Sequence, residues 1–159
     1  MKLQDYKLTE QLKTKIFTGI RTSKKYGISC LFVPINTRVG VKLFPRKTDR
    51  DFSFRLQKRL QSFDLSPKLG RSFVYKLEWP IIHDEYNISE LTFDILVLYG
   101  FFTQRANTCF KNKGRACDIL YKEAHKKGFI WDDSHHNNIG MIGKKLVIID
   151  TDPASWSLT

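Results

Sequence analysis

Residues Gly128 to Asp152 read GFIWDDSHHNNIGMIGKKLVIIDTD. Two aspartates, two histidines and two asparagines crowd the first half, and the apolar run Leu146-Val147-Ile148-Ile149 then ends at Asp150. A short apolar run bounded by turn residues reads as a buried strand. A carboxylate, an amide five residues later and a second carboxylate at a strand end suit transfer of a phosphoryl group. That chemistry needs a carboxylate to orient a hydroxyl and hard oxygen ligands for magnesium. The residues singled out are Asp133, Asn138 and Asp150. A structural Asp/Asn-rich turn is the competing reading.

The order Asp133-Ser-His-His-Asn-Asn138 followed by Ile148-Ile149-Asp150 resembles the catalytic loop and metal-binding segment of the protein-kinase-like phosphotransferases. The resemblance implies that Asp133 orients the acceptor hydroxyl and that Asn138 and Asp150 bind magnesium on ATP. It also implies a loop-bracing role for His135. Two positions depart from the family pattern. Trp131 stands where a His is usual, and Thr151 stands where a Gly follows the metal-binding Asp.

Upstream, Ile28 to Ile35 and Arg38 to Phe44 read as a hairpin of two β-rich runs. Lys42 lies in the second, flanked by Val41 and Leu43, and a lysine so placed either faces solvent or points into a cleft. The resemblance makes Lys42 the phosphate-holding catalytic lysine. Asp49 to Phe63 reads as an amphipathic helix with Phe52, Leu56, Leu60 and Phe63 on one face and Arg55, Lys58 and Arg59 on the other. The family places a Glu on this helix to pair with the lysine, and residues 50–63 contain none. Gln57 or Gln61 remain as neutral partners, and Asp51 as a charged one in a different helix register.

Gly19 to Gly27, GIRTSKKYG, reads either as a hairpin covering phosphates or as a basic surface turn. Arg71 to Trp79 alternates apolar residues as a strand does, and Pro80 is expected to end it. Within the resemblance, Leu77, Glu78 and Trp79 would supply the adenine-binding edge. Ile81 to Asn87 reads as a linker, Ser89 to Phe110 as a long buried helix, and Gly114 to Lys127 as a second helix with Ala116, Ile119, Leu120 and Ala124 inward. The expected architecture is α+β and protein-kinase-like in two lobes. Residues 1–80 form an antiparallel small lobe with one helix, and residues 81–159 form a reduced helical lobe, since the sequence ends nine residues after Asp150.

Composition narrows the partners. The 159 residues carry a net charge of +11, and the halves differ: residues 1–80 sum to +12 and residues 81–159 to −1. A basic half faces phosphates or an acidic partner. Without a helix-turn-helix, zinc-finger or RNP-like pattern, nucleic acid binding is expected to be weak and non-specific. Neither a membrane-spanning run nor a signal-peptide core is visible, so a cytoplasmic protein without membrane contact is expected. Cys30, Cys109 and Cys117 show no CxxC spacing and read as reduced, buried thiols. Asp132, Asp133, His135 and His136 invite a transition-metal reading, but consecutive residues seldom converge on one ion. The sequence therefore supports an ATP- and magnesium-dependent phosphotransferase acting on a hydroxyl, with a protein as acceptor. The alternative is an inactive, kinase-like binding protein whose basic small lobe grips an acidic partner.

Overall fold

The computed structural model describes residues 1–22, 30–85 and 88–157. It is α+β, built on an antiparallel sheet of order β1-β2-β4-β3. The elements in chain order are α1 (Glu10–Thr22), β1 (Leu31–Pro34), β2 (Val39–Phe44), α2 (Lys47–Gln61), β3 (Leu69–Glu85) and β4 (Ile88–Gln104), followed by α3 (Lys113–Lys126). Two short strand pairs close the chain: β6 (Ile139–Ile142) with β7 (Lys145–Ile148), and β5 (Ile130–Trp131) with β8 (Trp156–Ser157).

The sheet is covered on both faces, and this explains β2, whose six residues are all buried. Val41 and Leu43 join Ile16 of α1, Tyr75, Leu98 and Phe102 in one apolar cluster. Phe44 faces the other way, with Leu69 and Phe101 in a cluster reached by Phe54 of α2. Lys42, between Val41 and Leu43, therefore points to the α2 side, because successive strand residues alternate faces.

The same two-sided burial corrects the expected helix over Ser89 to Phe110. As far as Gln104 that segment is strand β4, pairing with β3 from Ile88 to Thr103 and with β2 from Tyr99 to Gln104. Phe101 enters the α2-side cluster and Phe102 the α1-side cluster. A strand buried on both faces reads as a continuous apolar run and so mimics a buried helix. The expected linker from Ile81 is likewise strand as far as Glu85, and Tyr86 and Asn87 lie outside the described residues. Pro80 does not end β3, which is an edge strand, the position in a sheet where proline is tolerated. The sheet consequently runs past the expected boundary at residue 80 to Gln104, and its part of the chain carries two helices rather than one. Of the Gly19 to Gly27 stretch, Gly19 to Thr22 belongs to α1 and the remainder lies outside the described residues.

Helix α2 ties the sheet to the C-terminal part. Its buried residues Ser53, Leu56, Gln57 and Leu60 recur at helical spacing. Leu56 and Leu60 pack in a cluster with Leu120 and Ala124 of α3 and with Phe129, Trp131, Ile139, Ile148 and Trp156. The Ile148 amide donates to the Leu65 carbonyl at 2.7 Å, fixing the end of β7 against the turn after α2. On α3 the buried residues are Ala116, Cys117, Leu120 and Ala124, whereas Ile119, expected inward, is exposed.

Gly100 separates the strand from the helix assignment by experiment. A Cβ there would lie 2.8 Å from the Lys42 carbonyl oxygen and 2.5 Å from the Phe73 ring. Gly100→Ala should lower unfolding free energy by roughly 1–3 kcal/mol through overpacking. In a buried helix the same change would raise stability by up to about 1 kcal/mol. Chemical denaturation gives the sign.

Candidate functional site

The site begins with a buried cation. Lys42 is only 8% exposed, and its ammonium donates to Gln57 Oε1 at 3.0 Å, the Ile149 carbonyl at 2.7 Å and Thr151 Oγ1 at 2.8 Å. These acceptors come from α2 and from the segment leaving β7. Burial pulls the Lys42 amine below its ordinary value, opposed by Cys30 and by the Asp150 and Asp152 carboxylates. Gln57, one of the two expected neutral partners, is thus the residue of α2 that bonds Lys42. Gln61 instead accepts from the Leu69 amide, and Asp51 pairs with Lys47 and Arg50 on the surface side of α2.

Gln57 is itself held. Its Nε2 donates to the Pro67 carbonyl at 3.0 Å and to Thr103 Oγ1 at 2.8 Å, which fixes Oε1 toward Lys42. Thr151 Oγ1 lies 2.6 Å from Ser53 Oγ. Ser53, Gln57, Thr103 and Thr151 are all buried, so the network is one in which each polar group finds a partner.

The second half of the site is the loop from Asp133 to Asn138. Asn138 Nδ2 donates to the Asp133 carbonyl at 3.1 Å, and its own carbonyl accepts the amides of Ile149 and Asp150 at 2.9 and 3.3 Å. His135 Nδ1 accepts from the Asn137 amide, so it braces the loop. The amide contacts to Asn138 place the loop beside the strand end that carries Asp150. Asp150 Oδ1 accepts the Asp152 amide at 2.9 Å, and its carbonyl accepts Trp156 Nε1 at 2.9 Å. Trp156 stacks on Trp131 with ring centroids 5.4 Å apart. This aromatic pair clamps the segment after Asp150 onto the strand before Asp133. Burial raises the Asp150 carboxyl above its ordinary value, against the lowering effect of bonds from Ser155 and the Asp152 amide.

One cavity of about 1180 Å³ is lined by Lys42, Asn138 and Asp150 together. Cys30, Thr103, Thr151 and Asp152 also line it. Asp133 is exposed and does not line the cavity; it is joined to it through the bond from Asn138. Leu77, Glu78 and Trp79, the expected adenine edge, pair with Leu96, Ile95 and Asp94 far along the β3–β4 hairpin, and neither Leu77 nor Glu78 lines the cavity. Its wall comes instead from Thr103 to Cys109, because β4 rather than β3 leads out of the sheet toward the C-terminal part. Asn107 fixes that exit through paired backbone bonds to Met141, each 2.8 Å.

The donor set fits a small hard cation. Asp150 and Asn138, a carboxylate and an amide side chain, line one cavity, and magnesium commonly takes one or two protein oxygens while the rest come from phosphates and water. Among the described residues, no three His, Cys, Asp or Glu side chains cluster so as to hold a metal ion. All three cysteines are free thiols, but Cys109 is exposed and Cys30 half-buried, so only Cys117 is buried as expected. Burial pushes the Cys30 thiol up to about 12.

Ser53, Thr103 and Thr151 were not singled out by sequence. A signal existed for Ser53 and Gln57. They sit at i and i+4 among the apolar positions of α2, and buried polar groups demand partners.

Comparison of the chain with protein-family models, with curated proteins and with solved structures found no match.

The raised Asp150 carboxyl gives a stability prediction with a definite sign. Its folded value lies above the ordinary 3.8, so the folded chain holds this proton more tightly than the unfolded chain. Ionisation as pH rises through the window above 3.8 therefore costs stability. Asp150→Asn in metal-free protein should raise Tm at pH 7, and the gain should vanish as pH falls below 3.8. Thermal melts across pH check this.

Proposed function

We propose that this chain is an ATP- and magnesium-dependent phosphotransferase of the protein-kinase-like type, acting on a hydroxyl of a protein acceptor. One observation carries the reading: Lys42, Asn138 and Asp150, far apart in sequence, line one cavity. Their chain order is the one the catalytic segments of that family require. In this reading the fold is two-lobed, with the sheet, α1 and α2 on one side of the cavity and α3 with the short strand pairs on the other.

The chain's own residues divide the work. Lys42 binds phosphate oxygens, and its burial strengthens that attraction because the surroundings screen charge poorly. Asn138 and Asp150 would hold magnesium, which supplies neutralisation of charge on the transferred group. Asp133 orients the acceptor hydroxyl and takes its proton from an exposed loop, where a macromolecular acceptor has access. Thr103 to Cys109 replaces Leu77 to Trp79 as the wall for the base.

A second reading has an observation of its own. Arg55 and Lys58 are exposed on the outer face of α2 and form no ion pair among the described residues, while Arg59 lies over the Phe129 ring at 5.0 Å. This stripe suits an acidic protein partner of a kinase-like scaffold without turnover.

Asp133→Asn decides between them. In the enzyme it should leave ATP affinity and Tm unchanged and lower phosphate transfer by on the order of 10²-fold or more, since positioning and proton transfer are lost. ATP affinity should depend on magnesium in the parent and lose that dependence in Asp150→Asn. Calorimetry and transfer of labelled phosphate to cell extract measure both. Equal ATP affinity with and without magnesium in the parent would refute the enzyme.

A further inference from the structure

An ammonium has three N–H donors and no acceptor. All three of Lys42 are committed to protein atoms: Gln57 Oε1, the Ile149 carbonyl and Thr151 Oγ1. A phosphate oxygen entering the cavity can bind Lys42 only by displacing one of them. The costs of release differ. Gln57 is oriented by its bonds to Pro67 and Thr103, so losing Lys42 would strand a buried amide oxygen. The Ile149 carbonyl makes the shortest of the three bonds, at 2.7 Å, and Ile149 is fixed through its amide to Asn138. A buried acceptor left unsatisfied bears its full desolvation penalty. Thr151 Oγ1 escapes that cost, because Ser53 Oγ lies 2.6 Å away as a second partner.

We infer that Thr151 and Ser53 form the exchange point of the cavity: Thr151 Oγ1 holds the third N–H of Lys42 and yields it to an oxyanion of a nucleoside triphosphate, while the Ser53 hydroxyl keeps Thr151 satisfied. This rests on the nucleotide reading given above and adds to it a pair of positioning residues that set affinity for phosphate. It also accounts for Thr151 beside Asp150. The hydroxyl reaches Lys42 from the segment that carries the carboxylate, so release of Lys42 and arrival of phosphate occur at one place.

The two neighbours should act with opposite sign. Thr151→Val removes the competing acceptor and leaves Lys42 with an unmet donor until phosphate arrives. Its affinity for ATP with magnesium should rise about threefold to tenfold, the value of one net hydrogen bond. Ser53→Ala removes the substitute partner, so Thr151 releases Lys42 at greater cost and ATP affinity should fall by a similar factor. Adenosine, which lacks phosphate, should bind both variants as it binds the parent, and Thr151→Ser should restore parental ATP affinity. Titration calorimetry with ATP and adenosine reads each value. If Thr151→Val does not fold, Ser53→Ala carries the test alone, through weaker ATP and unchanged adenosine binding. ATP affinity that falls or stays level in Thr151→Val overturns the exchange and leaves the nucleotide site standing. A parent protein that binds no ATP overturns both.

Discussion

Burying one ammonium is the constraint around which this molecule is arranged. A lone charge in an apolar interior is untenable without partners that satisfy it. Lys42 finds them on α2 and on the segment after β7, more than a hundred residues downstream in the sequence. The sheet cannot keep this lysine buried unless α2 presents Gln57 and the C-terminal part presents Ile149 and Thr151. One side chain thus couples three parts of the chain, and the cavity lies where they meet. The apolar cluster joining Leu56, Leu60, Ile148 and Trp156 supplies the packing that holds those partners in place.

Neutral partners give the arrangement a particular character. A carboxylate beside Lys42 would hold it through a charge-assisted bond about twice as strong as a neutral one. Gln57 and Thr151 hold it through several weaker bonds, and nearby Asp150 and Asp152 favour its charged form from a distance. Asp150 is strained in the complementary sense, since burial opposes its ionisation. A cation near Asp150 and an anion near Lys42 would relieve both at once. Perturbed ionisable groups of opposite sign facing one cavity are the physical basis for treating it as a functional site.

The residues that meet at the cavity were more legible in the sequence than the topology. Lys42, Asn138 and Asp150 were legible because strand ends and fixed spacings restrict where such residues sit, and Gln57 because a buried lysine must find an acceptor on the helix beside it. Strand β4 was not legible. Phe101 and Phe102 bury on opposite faces of the sheet, and apolar residues on every side look the same in a strand as in a helix. Reading β4 as a helix made β3 the last strand, whereas the chain leaves the sheet from β4 and Thr103 to Cys109 line the cavity. Thr151 was noticed only as a departure from a family pattern, since a hydroxyl gains its role from Lys42 and Ser53, both distant in sequence.

A double-mutant cycle between Lys42 and Gln57 tests the central claim most directly. Lys42→Met and Gln57→Leu each leave a buried polar group without its partner, whereas the double variant removes both. Urea unfolding should show the double variant losing less stability than the sum of the single losses, by roughly 0.5–3 kcal/mol, as expected of groups in one network. Losses that simply add would mean that Lys42 and Gln57 do not hold each other, and the account of a sheet and helix joined through one buried ammonium would fail.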